Sequence, residues 1–172
     1  MTNIIVDVET DGPAPGLFSM VCFGAVILEE PLHRTFYATT KPITTSYLPE
    51  ALRISGFTRE QHEKFDDPRE TMIKFDRWIQ ENCDSRPMFY SDNNGFDWQF
   101  INYYFWKYLN RNPFGHSSHH IGCIYKGIQK DMFVNFKHLR KTIHDHNPVN
   151  DAKGNAEALL AMRKQYGLKI TI

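Results

Sequence analysis

A chain of 172 residues and 20.2 kDa has room for one domain with a sizeable core and little more. Twenty Lys and Arg balance twenty Asp and Glu, so the formal net charge is zero, which argues against a basic coat for long duplex nucleic acid and against an acidic disordered tail. Any polyanion must then be met by local positive charge or by bound metal.

The elements read as follows in chain order. Ile4 to Val8 is a short β-branched run broken by Asp7, the pattern of a buried central strand. Phe18 to Leu28 and Thr35 to Thr39 continue as a meander, with Pro31 at the turn between them. Pro49-Glu50-Ala51-Leu52 and Thr58-Arg59-Glu60-Gln61 are two helix starts, the second opening like a capping box. A longer helix is predicted from Asp67-Pro68 to about Cys83, with Met72, Phe75 and Ile79 at helical spacing. Pro87 to Ser91 is a buried strand ending in the turn Asp92 to Gly95, and an aromatic helix runs from Phe96 to Leu109. A polar loop, Gly115 to His120, and a short apolar piece, Ile121 to Tyr125, precede a helix predicted from Gly127 to Leu139. The last helix is expected from about Asp151 to Tyr166, closed by Gly167. Early strands followed by alternating strands and helices predict one α/β domain, residues 1–172, around a mixed sheet.

Cys22, Cys83 and Cys123 are odd in number and far apart, which suits reduced thiols better than disulfides. The start Met1-Thr2-Asn3 is not a signal peptide, and no apolar run approaches the ~18 residues of a membrane span. The expectation is a soluble, cytoplasmic protein without a membrane partner.

Three segments carry paired or isolated acids. Asp7 and Glu9 are two residues apart on one strand, so both leave the same face about 7 Å apart at ~3.3 Å per residue, a spacing suited to metal. A carboxylate in an Ile/Val strand loses hydration unless it is paired or binds a cation. Taken alone, the pair reads equally well as a strand-end acid and a solvated turn acid. Asp97 opens a helix just after a strand, where it serves as a cap or as a ligand. Asp151 opens the final helix, with His146 five residues earlier and Gly154 in its first turn, where a missing side chain would let that helix approach the sheet.

Together, Asp7-Val-Glu-Thr-Asp-Gly-Pro13, Asn93-Asn-Gly-Phe-Asp-Trp-Gln-Phe-Ile101 and His146-Asn-Pro-Val-Asn-Asp-Ala152 resemble, in order and separation, the three exonuclease motifs of the DEDDh superfamily. Ile124-Tyr-Lys-Gly127 and the segment Asp151 to Leu160 resemble a small subfamily of bacterial and phage 3′-5′ exoribonuclease domains. The resemblance implies a ribonuclease-H-like fold, with Asp7, Glu9, Asp97 and Asp151 as ligands of two divalent ions, Mg²⁺ or Mn²⁺, and His146 as general base. Histidine titrates near physiological pH, which suits removal of a proton from water. His144 is a rival base, and the spacing to Asp151 favours His146. Two departures, Pro148 and Asp11, remove no ligand.

The implied substrate is single-stranded RNA or a short oligoribonucleotide, shortened from its 3′ end with release of nucleoside 5′-monophosphates. A DNA 3′-5′ exonuclease is the alternative, and a non-catalytic binding module on the same fold is a second. Leu17, Phe18, Met20 and Phe96 are candidates to stack on the terminal base, and Val8, Glu9 and Thr10 to meet its sugar. Phe18 and Phe96 suit core packing equally.

Between Lys126 and Lys141 stand Lys126, Lys130, Lys137, Arg140 and Lys141 against one acid, Asp131, a patch able to track phosphates or simply to be solvated. On the aromatic helix Tyr103 and Trp106 lie off the apolar arc, which predicts a face against a second copy of the chain. His116, His119, His120 and Cys123 lack zinc-site spacing, and Gly12 to Gly16 lacks that of a phosphate loop.

Overall fold

The computed structural model describes residues 1–172. Five strands form one sheet: β1 (Thr2–Thr10), β2 (Met20–Ile27), β3 (Thr35–Thr39), β4 (Pro87–Ser91) and β5 (Ser118–His120). Their spatial order is β3-β2-β1-β4-β5; β1, β2 and β3 are antiparallel neighbours, whereas β4 runs parallel to β1, and β5 to β4. The central, mixed-sheet position expected for the first strand is the one observed. The helices are α1 (Pro49–Ile54), α2 (Arg59–His62), α3 (Pro68–Asn82), α4 (Asn94–Leu109), α5 (Ile121–Gln129) and α6 (Pro148–Tyr166), with a 3₁₀ turn at Lys137–Leu139.

Side chains of β1 alternate between two cores, as strand geometry requires. Ile4, Val6 and Val8 pack with Phe23, Met72, Phe75 and Phe105 against α3 and α4. Ile5 packs on the other face with Tyr125, Ala152, Ala156 and Leu159, against α5 and α6. The first core is largely aromatic: Phe75 lies 4.9 Å from both Phe23 and Phe36 and 5.7 Å from Phe105, centroid to centroid. Such pairs contribute about 0.5–1.5 kcal/mol each beyond their buried area. On the second face the small side chains of α6 bring that helix close to the sheet, and Asp7 and Glu9 continue the face begun by Ile5.

Gly24 of β2 is directly opposite Asp7. A Cβ there would stand 2.5 Å from the Pro148 carbonyl carbon and the Val149 nitrogen, so the absent side chain is what seats the start of α6 across from Asp7. The Gly154 expectation is therefore corrected. Gly154 faces the Thr142 carbonyl and the Arg140 stem, and the close approach to the sheet is made by Gly24 instead.

Two further boundaries differ from expectation. The predicted helix from Gly127 to Leu139 begins six residues earlier, at Ile121, because His120 caps it by accepting the Cys123 N–H. It stops at Lys130, whose left-handed φ of 54° breaks the helix, and Asx turns at Asp131 and Asn135 follow. The last helix starts at Pro148, with Asn147 as its cap accepting from the Val149 and Asn150 N–H groups, so Asp151 lies in its first turn instead of opening it. Gly167 closes it in the left-handed conformation, as predicted. Tyr103, expected with Trp106 to face a second copy of the chain, packs against the Gly16 turn of its own chain and takes a hydrogen bond from Lys107. Trp106 stays 47% exposed. No helix is long and apolar enough to cross a membrane.

Candidate active site

Beyond Ile5, β1 is no longer paired with β4, and the gap receives the first turn of α4. There the freed Val8 N–H donates to Asp97 Oδ1 at 3.2 Å, which answers a backbone group that would otherwise be buried unpaired. Asp97 thus stands beside Asp7 from one side. Asp151, seated by the Gly24 contact, faces it from the other, and ligand oxygens of Asp7, Glu9 and Asp151 lie within 4.8 Å of one another. Three elements far apart in sequence, β1, α4 and α6, therefore place four carboxyl groups in one cluster.

The cluster is starved of compensation. Asp97 and Asp151 are each only 2% exposed, and Oδ2 of both has no hydrogen-bond partner. Burial, reinforced by Asp97, Asp151 and Glu9, raises the Asp7 carboxyl well above its ordinary range. Burial, with Asp151 next, lifts Glu9 to about 7, and burial lifts Asp97 to about 8 against the opposing Val8 N–H hydrogen bond. Orphaned acceptors packed at this distance are the chemistry of a hard-cation site: oxygen donors and mutual repulsion, opposed at Asp7 only by the charge of Arg140. The residues present fit the divalent ions implied by the motifs.

Two imidazoles sit at the rim. His144 Nδ1 is 2.7 Å from Asp151 Oδ1, His146 Nδ1 is 3.5 Å from Glu9 Oε1, and the two rings are 4.6 Å apart. His146 has a left-handed φ of 59°, which turns its side chain back from the Asn147 cap toward β1. Both rings are about half exposed, so each is open to water. Asp7, Glu9, Asp97 and His144 line a cavity of about 460 Å³.

The other sequence-derived candidates separate clearly. Phe96 lines the cavity, packed on Phe100, and Leu17 is 60% exposed on the loop after β1. Phe18 is half-buried with its ring over Gly12, where any Cβ would collide with it. Met20 is the correction. It has no accessible surface and belongs to the α3/α4 core, so it cannot stack on a base. Val8 is in the cavity wall with its N–H committed to Asp97, and the Thr10 hydroxyl donates to the Gly12 carbonyl. Arg140 does not belong to an open basic patch. It is buried, bonded to Asp92 at 2.7 Å and Asn155 at 2.5 Å, and lies over the Phe136 ring. Of the dismissed zinc set, His119 stacks on Tyr90 and His120 caps α5.

Asp11, one of the two departures from the motif pattern, has a structural role. It is fully buried, accepts the Ser19 N–H at 2.5 Å and pairs with Arg59 at 3.1 Å, which ties down both ends of the loop carrying Leu17. Its partner lies 48 residues away, so only its place within the first motif marks it in the sequence.

A sheet of this order with four convergent carboxyl groups at the end of its central strand defines a ribonuclease-H-like nuclease. No profile of an established protein family matches the sequence. It is 35% identical over 164 residues to the 3′-5′ DNA exonuclease Cap18 of Escherichia coli, covering 90% of this chain and 87% of that protein. The fold matches the nuclease domain of 3′hExo, a DEDDh family member bound to rAMP, at a TM-score of 0.75 and 17% identity over 99% of this chain and 96% of that one. It also matches E. coli exonuclease I in complex with a dA16 oligonucleotide at a TM-score of 0.75 and 15% identity; this chain spans 41% of that longer protein. The chain belongs to the DEDDh superfamily of 3′-5′ exonucleases, enzymes that shorten nucleic acid from the 3′ end.

Proposed function

We propose that this exonuclease removes nucleoside 5′-monophosphates from single-stranded 3′ ends, with Asp7, Glu9, Asp97 and Asp151 holding two divalent ions and His146 acting as general base. The observation that carries the reading is the pair of buried, partnerless oxygens, Asp97 Oδ2 and Asp151 Oδ2, beside Asp7. Bound Mg²⁺ or Mn²⁺ would supply charge neutralisation at the scissile phosphate and acidification of the attacking water. Asp7 stands between Asp97 and Asp151 and would help to hold both ions. His146, anchored near Glu9 and open to solvent, takes the proton of the attacking water. His144 is engaged by Asp151 and serves better to orient that carboxylate. Leu17 and Phe96 hold the terminal base from opposite sides of the β1 end, and the 3′ hydroxyl of the departing nucleotide lies against the Val8-Glu9-Thr10 backbone.

For the sugar, the 35%-identical relative named as a DNA exonuclease supports DNA ahead of the RNA expected from the motifs alone. The fold match bound to rAMP keeps RNA as the second reading. Equal-sequence 5′-labelled DNA and RNA oligomers with Mg²⁺ or Mn²⁺ test this choice. Faster shortening of DNA is expected, and a tenfold preference for RNA would reverse the assignment. The α4 face with Trp106 is proposed to meet a second copy of the chain; a 20 kDa species alone in light scattering would remove that proposal.

A further inference from the structure

Besides the carboxylates, the cavity is lined by His120, at the end of the edge strand β5, and by Lys137, the first residue of the 3₁₀ turn. Neither is part of the three motifs. His120 has an assigned tautomer: its Nδ1 accepts the Cys123 N–H at 2.9 Å, so the neutral ring carries its proton on Nε2. That Nε2–H has no partner within the protein. Lys137 is exposed and forms no ion pair, although four carboxylates, Asp7, Glu9, Asp92 and Asp97, line the same cavity. A fixed N–H donor and a free ammonium facing an anion-handling centre form a binding pair for a phosphate.

The sheet order says which phosphate. Leu17 and Phe18 leave from the β1–β2 connection, and β5 is the far edge on the other side of β1 and β4. A terminal nucleoside held toward Leu17 places the scissile phosphate over Asp7, and the remainder of the strand then runs toward β5. We infer that His120 and Lys137 bind the phosphodiester one nucleotide upstream of the scissile bond, so that the enzyme prefers substrates carrying at least two linkages. The inference rests on the exonuclease reading above and adds a length requirement to it.

A dinucleotide with a free 5′ hydroxyl lacks that phosphate, and a trinucleotide has it. Wild type is expected to show kcat/KM about tenfold higher on the trinucleotide, the gain of one charge-assisted contact. His120→Asn keeps a cap acceptor for Cys123 but removes the ring donor, and Lys137→Met keeps the stem without the charge. In each variant the trinucleotide-to-dinucleotide ratio should fall toward one, chiefly through KM on the trinucleotide. A neutral methylphosphonate at the upstream linkage should lower the ratio likewise in wild type and add little in the variants. If the variants keep the wild-type ratio, or the neutral linkage costs wild type nothing, the inference is wrong. Wild type that releases no mononucleotide from either substrate would instead overturn the exonuclease reading.

Discussion

Two acids four residues apart on and just beyond β1 behave in opposite ways. Asp11 is fully enclosed and both its oxygens are answered, one by the Ser19 N–H and the other by Arg59. Burial raises its carboxyl, and those partners oppose the rise. Asp7 meets three more acids, two of which have an oxygen with no partner at all. The folded chain thus compensates the acid that holds a loop and leaves uncompensated those that await a cation. Burial alone separates nothing; the pairing of the second oxygen does.

The largest test of that contrast is loss of activity. Asp7→Asn and Asp97→Asn should each lower mononucleotide release by about a thousandfold or more, several kcal/mol of charge stabilisation at the reacting phosphate. In metal-free buffer the same variants should be as stable as wild type or more so, because a buried carboxyl that is costly to ionise has been replaced by a neutral amide. Next in size, His146→Ala should cost about 10²–10⁴ in kcat, the usual worth of a positioned base, and His144→Ala about tenfold. A reversed order would exchange the two roles.

Asp11→Ala should do the reverse of the cluster variants. Removing one partner of a buried pair costs about 3 kcal/mol, the low end because Arg59 keeps the Thr44 carbonyl and Glu63. That corresponds to a Tm about 6–12 °C lower for a chain of this size, readable by calorimetry, with hydrolysis by the folded fraction largely retained.

The smallest effect is in pH. Asp7, Glu9 and Asp97 hold protons in the folded chain that ordinary carboxyls release near ~4. From about pH 4 to 8 the folded state therefore binds more protons than the unfolded one, and stability falls as pH rises. In a chelator, Tm should decline between pH 5 and 8; Mn²⁺ should abolish the decline, and Asp97→Asn should flatten it.

Much of this was legible in sequence because the chemistry is local to each motif: the β-branched run around Asp7, the Thr58 capping box and the Gly167 stop all follow from neighbouring residues. The burial of Met20 is not legible in sequence, because a short apolar segment does not reveal which side chains its partners will cover. The α5 boundary is obscured in sequence because Gly122 and Gly127 weaken helical propensity while a histidine cap supplies an unusual start. Gly24 and the Asp11–Arg59 pair were invisible for a different reason: each matters only through a residue brought from another element by folding.

The central claim is that the uncompensated carboxyls form a divalent-ion centre for hydrolysis from the 3′ end. The most direct measurement follows a 5′-labelled single strand with Mn²⁺, comparing wild type with Asp7→Asn and with wild type in chelator. The account predicts a ladder of products shortened one nucleotide at a time, present only in wild type with metal. A ladder that persists in Asp7→Asn or in chelator would contradict it.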